Sequence, residues 1–289
     1  MSWLYRGVNS ITPQSAGWKY CGMTILDLAE ENNHDLTFNG FEGVLLSLSA
    51  ENVTVLVDEV EYKLIGRTGV FAGISDWIYI PVGAKVSITG KNGLVALSTA
   101  QASKKFPVHY RSKDRVSVEI RGSGFATRQV NNIATPDSFD GAEKILVCEV
   151  LTPGGNWSSW PPHRHDGIAG CEFNNEEIYY FQIGKQDLDH GSEEGRGYFR
   201  VYSYDQSIDE TITIKDKDFV IVPHGYHGPS IAAPEYPMYF LNVLAGPAKS
   251  RTMGFCDDPN HHWIRDSWKS QQQDPRLPMT SKDGKRALK

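Results

Sequence analysis

Apolar and polar positions alternate in short runs along most of the chain. Residues 43–66, GVLLSLSAENVTVLVDEVEYKLIG, form Val- and Leu-rich segments separated by turn residues, and residues 76–100 repeat this pattern with Lys91-Asn92-Gly93 as a hairpin signal. Later segments continue it: EKILVCEVLT, EEIYYFQI, GYFRVYSYD, ETITIKDKDFVIVPHGYHG and MYFLNVLAG. Long helical periodicity is absent, so the pattern predicts an all-β protein built as a sandwich or as small barrels.

The length and a short internal repeat both predict two similar domains. A chain of 289 residues is long enough to form two hydrophobic cores. The segment YIPVGAKVSI (79–88) aligns with IVPHGYHGPSI (221–231), which places Lys85 where His227 stands. Because a Pro-x-Gly turn occurs between many strands, the repeat needs support from other observations.

The division between the domains follows from composition. Residues 121–139 are Gly-rich and polar, which predicts a connection between the halves. We therefore predict an N-terminal domain over 1–125 and a C-terminal domain over 126–264. Residues 265–289 are polar and predict a loose tail.

Charge and composition exclude several classes of partner. The net charge of −6 and the absence of a basic stripe argue against nucleic acid and anionic membranes as partners. The first ten residues lack the apolar region of a signal peptide, and no apolar run approaches the roughly 18 residues of a membrane span. We expect a cytoplasmic protein whose four scattered cysteines, Cys21, Cys148, Cys171 and Cys256, are reduced thiols.

The stretch NWSSWPPHRHDG contains a His-x-His pair. On a strand, His163 and His165 would face the same side and Arg164 the other. The same sequence would also be found if the two histidines were simply polar residues in a loop. Glu177 opens a later apolar strand, and His227 follows a Pro-x-Gly turn. Three neutral imidazoles and one carboxylate suit Zn²⁺, Mn²⁺, Fe²⁺ or Ni²⁺ and leave one or two coordination positions open.

This constellation resembles the cupin signature, in which a His-x-His, a strand-opening Glu and a His after Pro-x-Gly share one barrel. The resemblance continues through SAGWKYCGM, VEIRGSGFATRQVNNI, VLTPGGNWSSWPPHRHD, EEIYYF, YFLNVLAGP and DDPNHHWI. Over residues 11 to about 264 the chain resembles the 5-deoxy-glucuronate isomerase family, bicupin enzymes of bacterial inositol catabolism related to the 5-keto-4-deoxyuronate isomerases. The resemblance implies a bicupin fold, two jelly-roll-like β-barrels in tandem, with a metal site in the C-terminal barrel only.

The resemblance also implies which residues hold the metal. They are His163, His165, Glu177 and His227, around one divalent ion, with Zn²⁺ or Mn²⁺ preferred and Fe²⁺ or Ni²⁺ as alternatives. The spacing from His165 to the Glu is longer than in cupins generally, so Glu172 and Glu176 are rivals for that position. Glu177 is preferred because it directly precedes the apolar strand, whereas Glu176 would face the opposite side.

The reaction implied by the resemblance is an aldose–ketose isomerisation of 5-deoxy-D-glucuronate to 5-dehydro-2-deoxy-D-gluconate. A base must move a proton between adjacent carbons, and the candidates are Glu177, Tyr179 and a metal-bound hydroxide. Tyr179 could instead be an aromatic that only lines the barrel. A metal-assisted hydride shift also remains open.

The substrate carboxylate calls for an arginine or a lysine. Arg128 ranks first because Arg128 and Asn131 resemble an Arg–Asn pair shared with the related isomerase, and Arg200 and Arg251 are further candidates. Each arginine could instead form a structural salt bridge. In the DDPNHHW motif, Asp257 and His261 could approach the mouth of the site, and a structural role is preferred for both.

Two other functions use the same residues. A cupin oxygenase would bind Fe²⁺ in this ligand set and consume O₂. A non-catalytic sugar-acid-binding bicupin would bind without turnover, and the presence of all four predicted ligands argues against it. We expect a small sugar acid as substrate, no nucleic acid or membrane partner, and a homo-oligomer.

Overall fold

The computed structural model describes residues 3–168, 170–185 and 188–281, and strands make up most of its regular structure. The strands of the first half are β1 Leu4–Tyr5, β2 Ser10–Ile11, β3 Cys21–Asp27, β4 Asn33–Thr37, β5 Phe41–Ser47, β6 Glu51–Val57, β7 Val60–Gly66, β8 Trp77–Ile80, β9 Lys85–Thr89, β10 Leu94–Gln101 and β11 His109–Arg111. Those of the second half are β12 Ser117–Arg121, β13 Arg128–Asn132, β14 Leu146–Thr152, β15 Trp157–Ser158, β16 His163–Arg164, β17 Glu176–Ile183, β18 Gly197–Tyr202, β19 Asp209–Ile214, β20 Phe219–Val222, β21 Tyr226–Ala232, β22 Met238–Ala245 and β23 Cys256–Asp257.

The described residues contain few helices, and these are short. The α-helices are α1, Pro13–Ala16, and α2, Ile264–Ser267, and 3₁₀ turns cover Lys113–Arg115, Gly124–Ala126 and Trp268–Ser270. No described helix has the length or the apolar character of a membrane span.

Two pairs of antiparallel sheets repeat one strand order. The large sheet of the first half runs β11-β8-β5-β10-β3-β2, and that of the second half runs β1-β20-β17-β22-β14-β13-β12. The smaller sheets run β4-β9-β6-β7 and β19-β18-β21-β16-β23, and β15 also pairs with β21. Because the corresponding strands occupy corresponding places, the prediction of two similar β units is confirmed.

The register of the strands agrees with the internal repeat in the sequence. Thr37 pairs with Lys85 between β4 and β9, as His163 pairs with His227 between β16 and β21. Lys85 therefore holds the place of His227, as the alignment of the two Pro-x-Gly segments predicted.

Hydrogen bonding between the halves crosses the predicted division at residue 125. Strand β1 pairs with β20, and β12, which ends before residue 125, pairs with β13. The two domain ranges stay predictions, but both halves contribute strands to the second large sheet.

The interpretation of residues 121–139 as a connection is wrong over strand β13. This strand lies between β12 and β14, inside the sheet. The polar residues of β13 suggested a loop, but Gln129 and Asn131 are fully buried and hydrogen-bonded to each other, at 2.8 Å. Buried polar side chains with partners look like a loop when only composition is considered.

The hairpin predicted at residues 91–93 is also wrong. Strands β9 and β10 flank this turn but belong to different sheets, so they do not pair. Gly93 has a φ of 84°, and a Cβ atom there would lie 2.2 Å from the carbonyl oxygen of Ser49. The turn signal was real, and it marks a crossover between sheets.

The two large sheets pack face to face and form one core between the halves. Strand β17, EEIYYFQI, is apolar on both faces because one face meets the first half and the other faces its own barrel. The shared core includes Val44, Leu46, Trp77, Tyr79, Ile178, Tyr180, Ile221 and Leu241. Separate cores fill the space between the two sheets of each half.

The expectation of a loose C-terminal segment is wrong for residues 265–281. Met279 is buried, and the backbone amides of Met279 and Thr280 donate to Gln129 Oε1 at 2.8 and 3.1 Å. Asp274 accepts a hydrogen bond of 2.9 Å from Asn156. Residues 282–289 of the predicted tail lie outside the described residues.

Two of the four cysteines form a disulfide, which corrects the expectation of four reduced thiols. Cys171 and Cys256 are bonded with their Cα atoms 5.8 Å apart, although 85 positions separate them in the sequence. Pairing of β23 with β16 brings Cys256 opposite Arg164, near the segment that contains Cys171. Cys21 and Cys148 are free and buried.

Candidate metal centre and substrate cavity

Two histidines and a glutamate meet in the C-terminal half. His165 follows β16, Glu177 lies in β17 and His227 lies in β21. One potential ligand atom of each lies within 4.8 Å of the other two, and the described residues contain no other such group of His, Cys, Asp or Glu. The Nε2 atoms of His165 and His227 lie 2.9 and 3.1 Å from Glu177 Oε2.

The backbone around His165 orients its ring. His165 Nδ1 lies 2.9 Å from the carbonyl oxygen of Asn175, whose amide donates to the His165 carbonyl at 2.8 Å. A proton on Nδ1 satisfies that carbonyl and leaves the Nε2 lone pair directed at Glu177. This support from a backbone carbonyl is typical of metal-binding histidines.

The three glutamates considered for this site have separate places. Glu177 is buried with the histidines. The carboxylate of Glu176, on the opposite face of β17, accepts hydrogen bonds of 2.7–2.8 Å from the backbone amides of residues 19–21. Glu172 is exposed. Glu176 therefore ties the first half of the chain to β17, and only Glu177 faces the histidines.

His163 lies beside the three-residue group. Its ring centroid is 4.5 Å from that of His227 and 6.3 Å from that of His165. Its nitrogens fall outside the 4.8 Å group, and its Nδ1 lies 3.3 Å from the carbonyl oxygen of Pro161. The structure thus brings three of the four predicted ligands together and places the fourth, His163, against His227.

The charges of the group are suited to a cation. Burial alone would raise the pKa of Glu177, but the nearby imidazoles of His165 and His227 hold that pKa well below its usual range. Burial lowers the pKa values of His163 and His227. Burial opposes a charge on His165 too, yet its contact with Glu177 raises its pKa, so a metal ion would displace a proton there.

The burial and hydrogen bonding of His227 indicate whether these residues suit a metal ion. Its ring is fully buried, and neither nitrogen has a hydrogen-bond partner of good geometry among the described residues. A buried imidazole without partners is costly, whereas a metal ion would satisfy Nε2. Two imidazole nitrogens and one carboxylate oxygen are also the donor types that borderline divalent ions bind. The group fits a metal ion.

A cavity of about 530 Å³ opens beside the group, within the range of small-molecule sites. Side chains at alternate positions of neighbouring strands form one wall: Glu177, Tyr179, Phe240, Asn242, Leu244, Cys148, Val150, Arg128, Val130, Glu119 and Arg121. The other wall contains Trp160, Met253, Phe255, Arg265 and Trp268.

Tyr179 lies two positions after Glu177 on the same face of β17, and both line the cavity. Its ring stacks on Phe181 at 5.7 Å and meets His227 edge-on at 6.2 Å. Burial, followed by the charge of Glu177, raises the pKa of Tyr179. The residue thus packs as a lining aromatic and is also adjacent to the group of His165, Glu177 and His227.

Among the four predicted substrate-binding residues, only Arg128 lines the cavity. Its Nη1 donates to the carbonyl oxygen of Ala126 at 3.0 Å, and it forms no salt bridge with any described residue. Burial, with repulsion from Arg121 and Arg265, lowers the pKa of Arg128 to about 9. A cation in this environment would be stabilised by an anionic ligand.

The other three predicted substrate-binding residues lie elsewhere. Asn131 and Val130 lie on opposite faces of β13. Asn131 faces the interface between the halves, where it donates to Glu149 at 3.0 Å. Arg200 forms an exposed fork with Asp209 at 2.9 and 3.0 Å. Arg251 donates to backbone carbonyls, including those of Ala134 and Ile145 at 3.0 Å.

Several polar residues that line the cavity were missed by the sequence reasoning, among them Arg121, Arg265 and Asn242. Arg121 pairs with Glu119 at 2.9 Å. Arg265 follows the DDPNHHW motif and binds Asp257. The side-chain nitrogen of Asn242 is buried without a partner among the described residues, and this lone amide in the apolar segment MYFLNVLAG was an available signal.

The DDPNHHW motif borders the cavity through its neighbours. Asp257 pairs in register with His163 and holds Arg265. The ring of His261 lies 5.4 Å from that of Trp160. Both residues therefore support cavity-lining side chains, and neither lines the cavity itself.

The sequence profile of the KduI/IolB family matches residues 5–264. The chain belongs to the KduI/IolB family. Two similar KduI/IolB relatives are each called 5-deoxy-glucuronate isomerase. The protein of Geobacillus kaustophilus (strain HTA426) is 37% identical over 264 residues, which is 89% of this chain and 90% of the relative. That of Bacillus subtilis (strain 168) is 36% identical over 262 residues, 89% of this chain and 92% of the relative.

Solved structures agree with membership of the KduI/IolB family. The crystal structure of an IolB-like protein from Salmonella typhimurium LT2 has a TM-score of 0.81 and 31% identity, covering 91% of this chain and 99% of that chain. Oxalate decarboxylase of Lactobacillus farciminis, in a formate complex, has a TM-score of 0.57 at 12% identity, covering 83% and 81%, which shows the fold alone. With the repeated sheet order, these likenesses confirm the predicted all-β bicupin fold.

Proposed function

We propose that this protein is a metal-dependent isomerase that converts 5-deoxy-D-glucuronate to 5-dehydro-2-deoxy-D-gluconate in inositol catabolism. The observation that carries the proposal is a group that could hold a metal ion, His165, Glu177 and His227, beside a cavity in a chain 37% identical to a protein called 5-deoxy-glucuronate isomerase. Surplus arginine charge in the same cavity suits an acidic sugar.

The metal proposed for this site is one divalent ion, Zn²⁺ or Mn²⁺ first and Fe²⁺ or Ni²⁺ as alternatives. His165, Glu177 and His227 would hold it, and His163, whose ring lies 4.5 Å from that of His227, is proposed as the fourth ligand. Such an ion, when bound, acts as a Lewis acid on the carbonyl and neighbouring hydroxyl oxygens of the substrate.

The protein's own residues then orient the sugar and move a proton. Glu177 and Tyr179 face the cavity beside the metal group, and we propose them as the groups that handle the proton. Asn242 pairs in register with Tyr179, so its free amide nitrogen can donate to a substrate hydroxyl close to the reacting carbons. Trp160 and Phe255 exclude water from the opposite wall.

The experiment that tests the function is an assay of purified, metal-analysed protein with 5-deoxy-glucuronate. We expect the ketose product by NMR, with no consumption of O₂. Oxygen uptake would favour the oxygenase function instead, and tight binding of the sugar acid without turnover by metal-loaded protein would favour a binding protein.

Metal stoichiometry should be one ion per chain, because the N-terminal half lacks the donors. The register places Thr37 and Lys85 at the positions of His163 and His227. Gly43 pairs with the residue before Pro81, and Glu177 pairs with the residue before Pro223. Gly43 therefore occupies the position that Glu177 has in the second half. Elemental analysis of the full chain with His165 and His227 both changed to Ala should therefore find no bound metal, and stoichiometric metal in that variant would contradict the assignment.

Replacing Arg128 with Ala should raise KM for the sugar acid at least about 10-fold, because a charge-assisted hydrogen bond is typically worth about 1.5–3 kcal/mol. Metal content should not change, because Arg128 lies outside the metal group. Arg128→Lys should recover only part of the loss, since an ammonium group cannot form the planar fork. Normal kinetics with a lower Tm would instead assign Arg128 a structural role.

We further propose that the enzyme works in the cytoplasm as a homo-oligomer on this small sugar acid. Light scattering of the purified protein and fractionation of the source cells test the two statements separately.

A further inference from the structure

Arg265 lies close to the metal-binding group through two aromatic contacts. Its guanidinium carbon is 5.1 Å from the ring centroid of Phe255, and that ring lies 4.8 Å from the ring of His163. On its other side, Arg265 is 5.4 Å from the ring of Trp268, which also packs against Arg128 at 5.7 Å. Arg265 therefore lines the cavity and contacts the aromatic ring that packs against His163.

Asp257 fixes the guanidinium of Arg265. Its two oxygens accept from Nε and Nη2 of Arg265 at 2.5 and 2.6 Å, and its side chain is only 7% exposed. Asp257 also pairs in register with His163. The position of Arg265 is therefore tied to the strand that precedes His165.

This fork leaves most of the hydrogen-bonding capacity of Arg265 unused. A guanidinium has five N–H donors, and the fork with Asp257 occupies two of them. The remaining donors of Arg265 have no acceptor among the described residues. Because the side chain lines the cavity, these donors are available to a ligand.

The charges of the cavity favour an anion. Glu119 pairs with Arg121 and Asp257 pairs with Arg265, whereas Arg128 has no carboxylate partner within the described part of the chain. Repulsion from its two arginine neighbours contributes to the lowered pKa of Arg128. The three arginines thus give a surplus of positive charge that a bound carboxylate would neutralise.

We propose that Arg265 binds the carboxylate of the substrate while the aldehyde end lies at the metal group, and that Asp257 is its positioning residue. This inference rests on the proposed isomerase function and names the contact that selects an acid over a neutral sugar. The five carbon–carbon bonds of a six-carbon acid span roughly 6 Å. Two ring contacts, of 5.1 and 4.8 Å, set the upper limit of the distance between the guanidinium of Arg265 and the ring of His163.

The test compares an acid with a neutral sugar. Wild type, Arg265→Ala and Arg265→Lys are assayed with 5-deoxy-glucuronate and with 5-deoxy-glucose, in which a hydroxymethyl group replaces the carboxylate. Arg265→Ala should lower kcat/KM for the acid at least about 10-fold and change that for the neutral sugar less than about 3-fold. Arg265→Lys should restore part of the loss. Lys269→Ala, an exposed cation on the same segment, is the matched control and should leave both values unchanged.

Asp257→Asn tests the positioning role. It should raise KM for the acid and leave kcat and metal content near their wild-type values, because the guanidinium remains but loses its fixed orientation. An equal loss for both sugars in Arg265→Ala and Asp257→Asn, with a lower Tm, would mean a structural role and overturn the proposal.

A binding measurement separates this inference from the proposed function. D-glucuronate should raise the Tm of metal-loaded wild type more than D-glucose does, and Arg265→Ala should reduce the difference. If that result is obtained but wild type does not turn over 5-deoxy-glucuronate, the carboxylate site is supported and the isomerase is rejected. Turnover by wild type with the difference intact in Arg265→Ala would reject the carboxylate site alone.

Discussion

Replacing His227 with alanine is expected to reduce isomerase activity to background and to release the metal. His227 is fully buried, and its Nε2 lies 3.1 Å from Glu177 Oε2. Loss of a direct ligand should exceed the roughly 10–100-fold loss of metal affinity that follows removal of an outer partner. Elemental analysis and an assay with added metal measure both effects on one preparation. Full activity with stoichiometric metal would show that the ion binds elsewhere.

Substitutions of the adjacent residues Glu176 and Glu177 form a matched pair that tests the same assignment of the metal ligands. Glu177→Gln should lose metal and activity because a neutral amide is a poorer ligand than a carboxylate. Glu176→Gln should keep the metal but lower the free energy of unfolding by about 1–3 kcal/mol, because an amide accepts three backbone N–H bonds less well. The reverse result would mean that β17 is shifted by one residue.

Strand periodicity explains why part of the site could be predicted from sequence. Side chains two positions apart share a face, which is why Glu177 and Tyr179 could be assigned to the cavity and Glu176 to the other side. The Pro-x-Gly repeat correctly placed Lys85 at the position of His227 because both turns precede equivalent strands. These are local patterns, and they depend only on neighbours in the sequence.

Other parts of the site depend on contacts between distant segments. Arg265 reaches the cavity because β23 pairs with β16, a pairing that no local pattern specifies. The disulfide between Cys171 and Cys256 depends on the same pairing. Asn131 was assigned to the substrate, but strand alternation turns it towards Glu149 at the interface between the halves.

A buried ion pair joins the halves beside that asparagine. Nη2 of Arg67, in the first half, donates to Glu149 of β14, and both side chains are almost fully buried. Tyr239 and Asn131 also donate to Glu149, at 2.8 and 3.0 Å. Burial would lower the pKa of Arg67, but the charges and hydrogen bonds of Glu149 and Tyr239 together outweigh it and raise that pKa. Arg67 therefore stays charged in this buried position and depends on Glu149 as its partner.

Glu149→Gln is expected to lower the free energy of unfolding by about 3–5 kcal/mol, because it leaves the guanidinium of Arg67 buried without a countercharge. Urea unfolding measures the change. Glu61→Gln is the control, since its contact with Lys63 is exposed and is worth at most about 1 kcal/mol. Adding Arg67→Met to Glu149→Gln should recover part of the loss, because the uncompensated charge is then gone. A Glu149→Gln variant within about 1 kcal/mol of wild type would show that the two halves are held together by their apolar core without help from this pair.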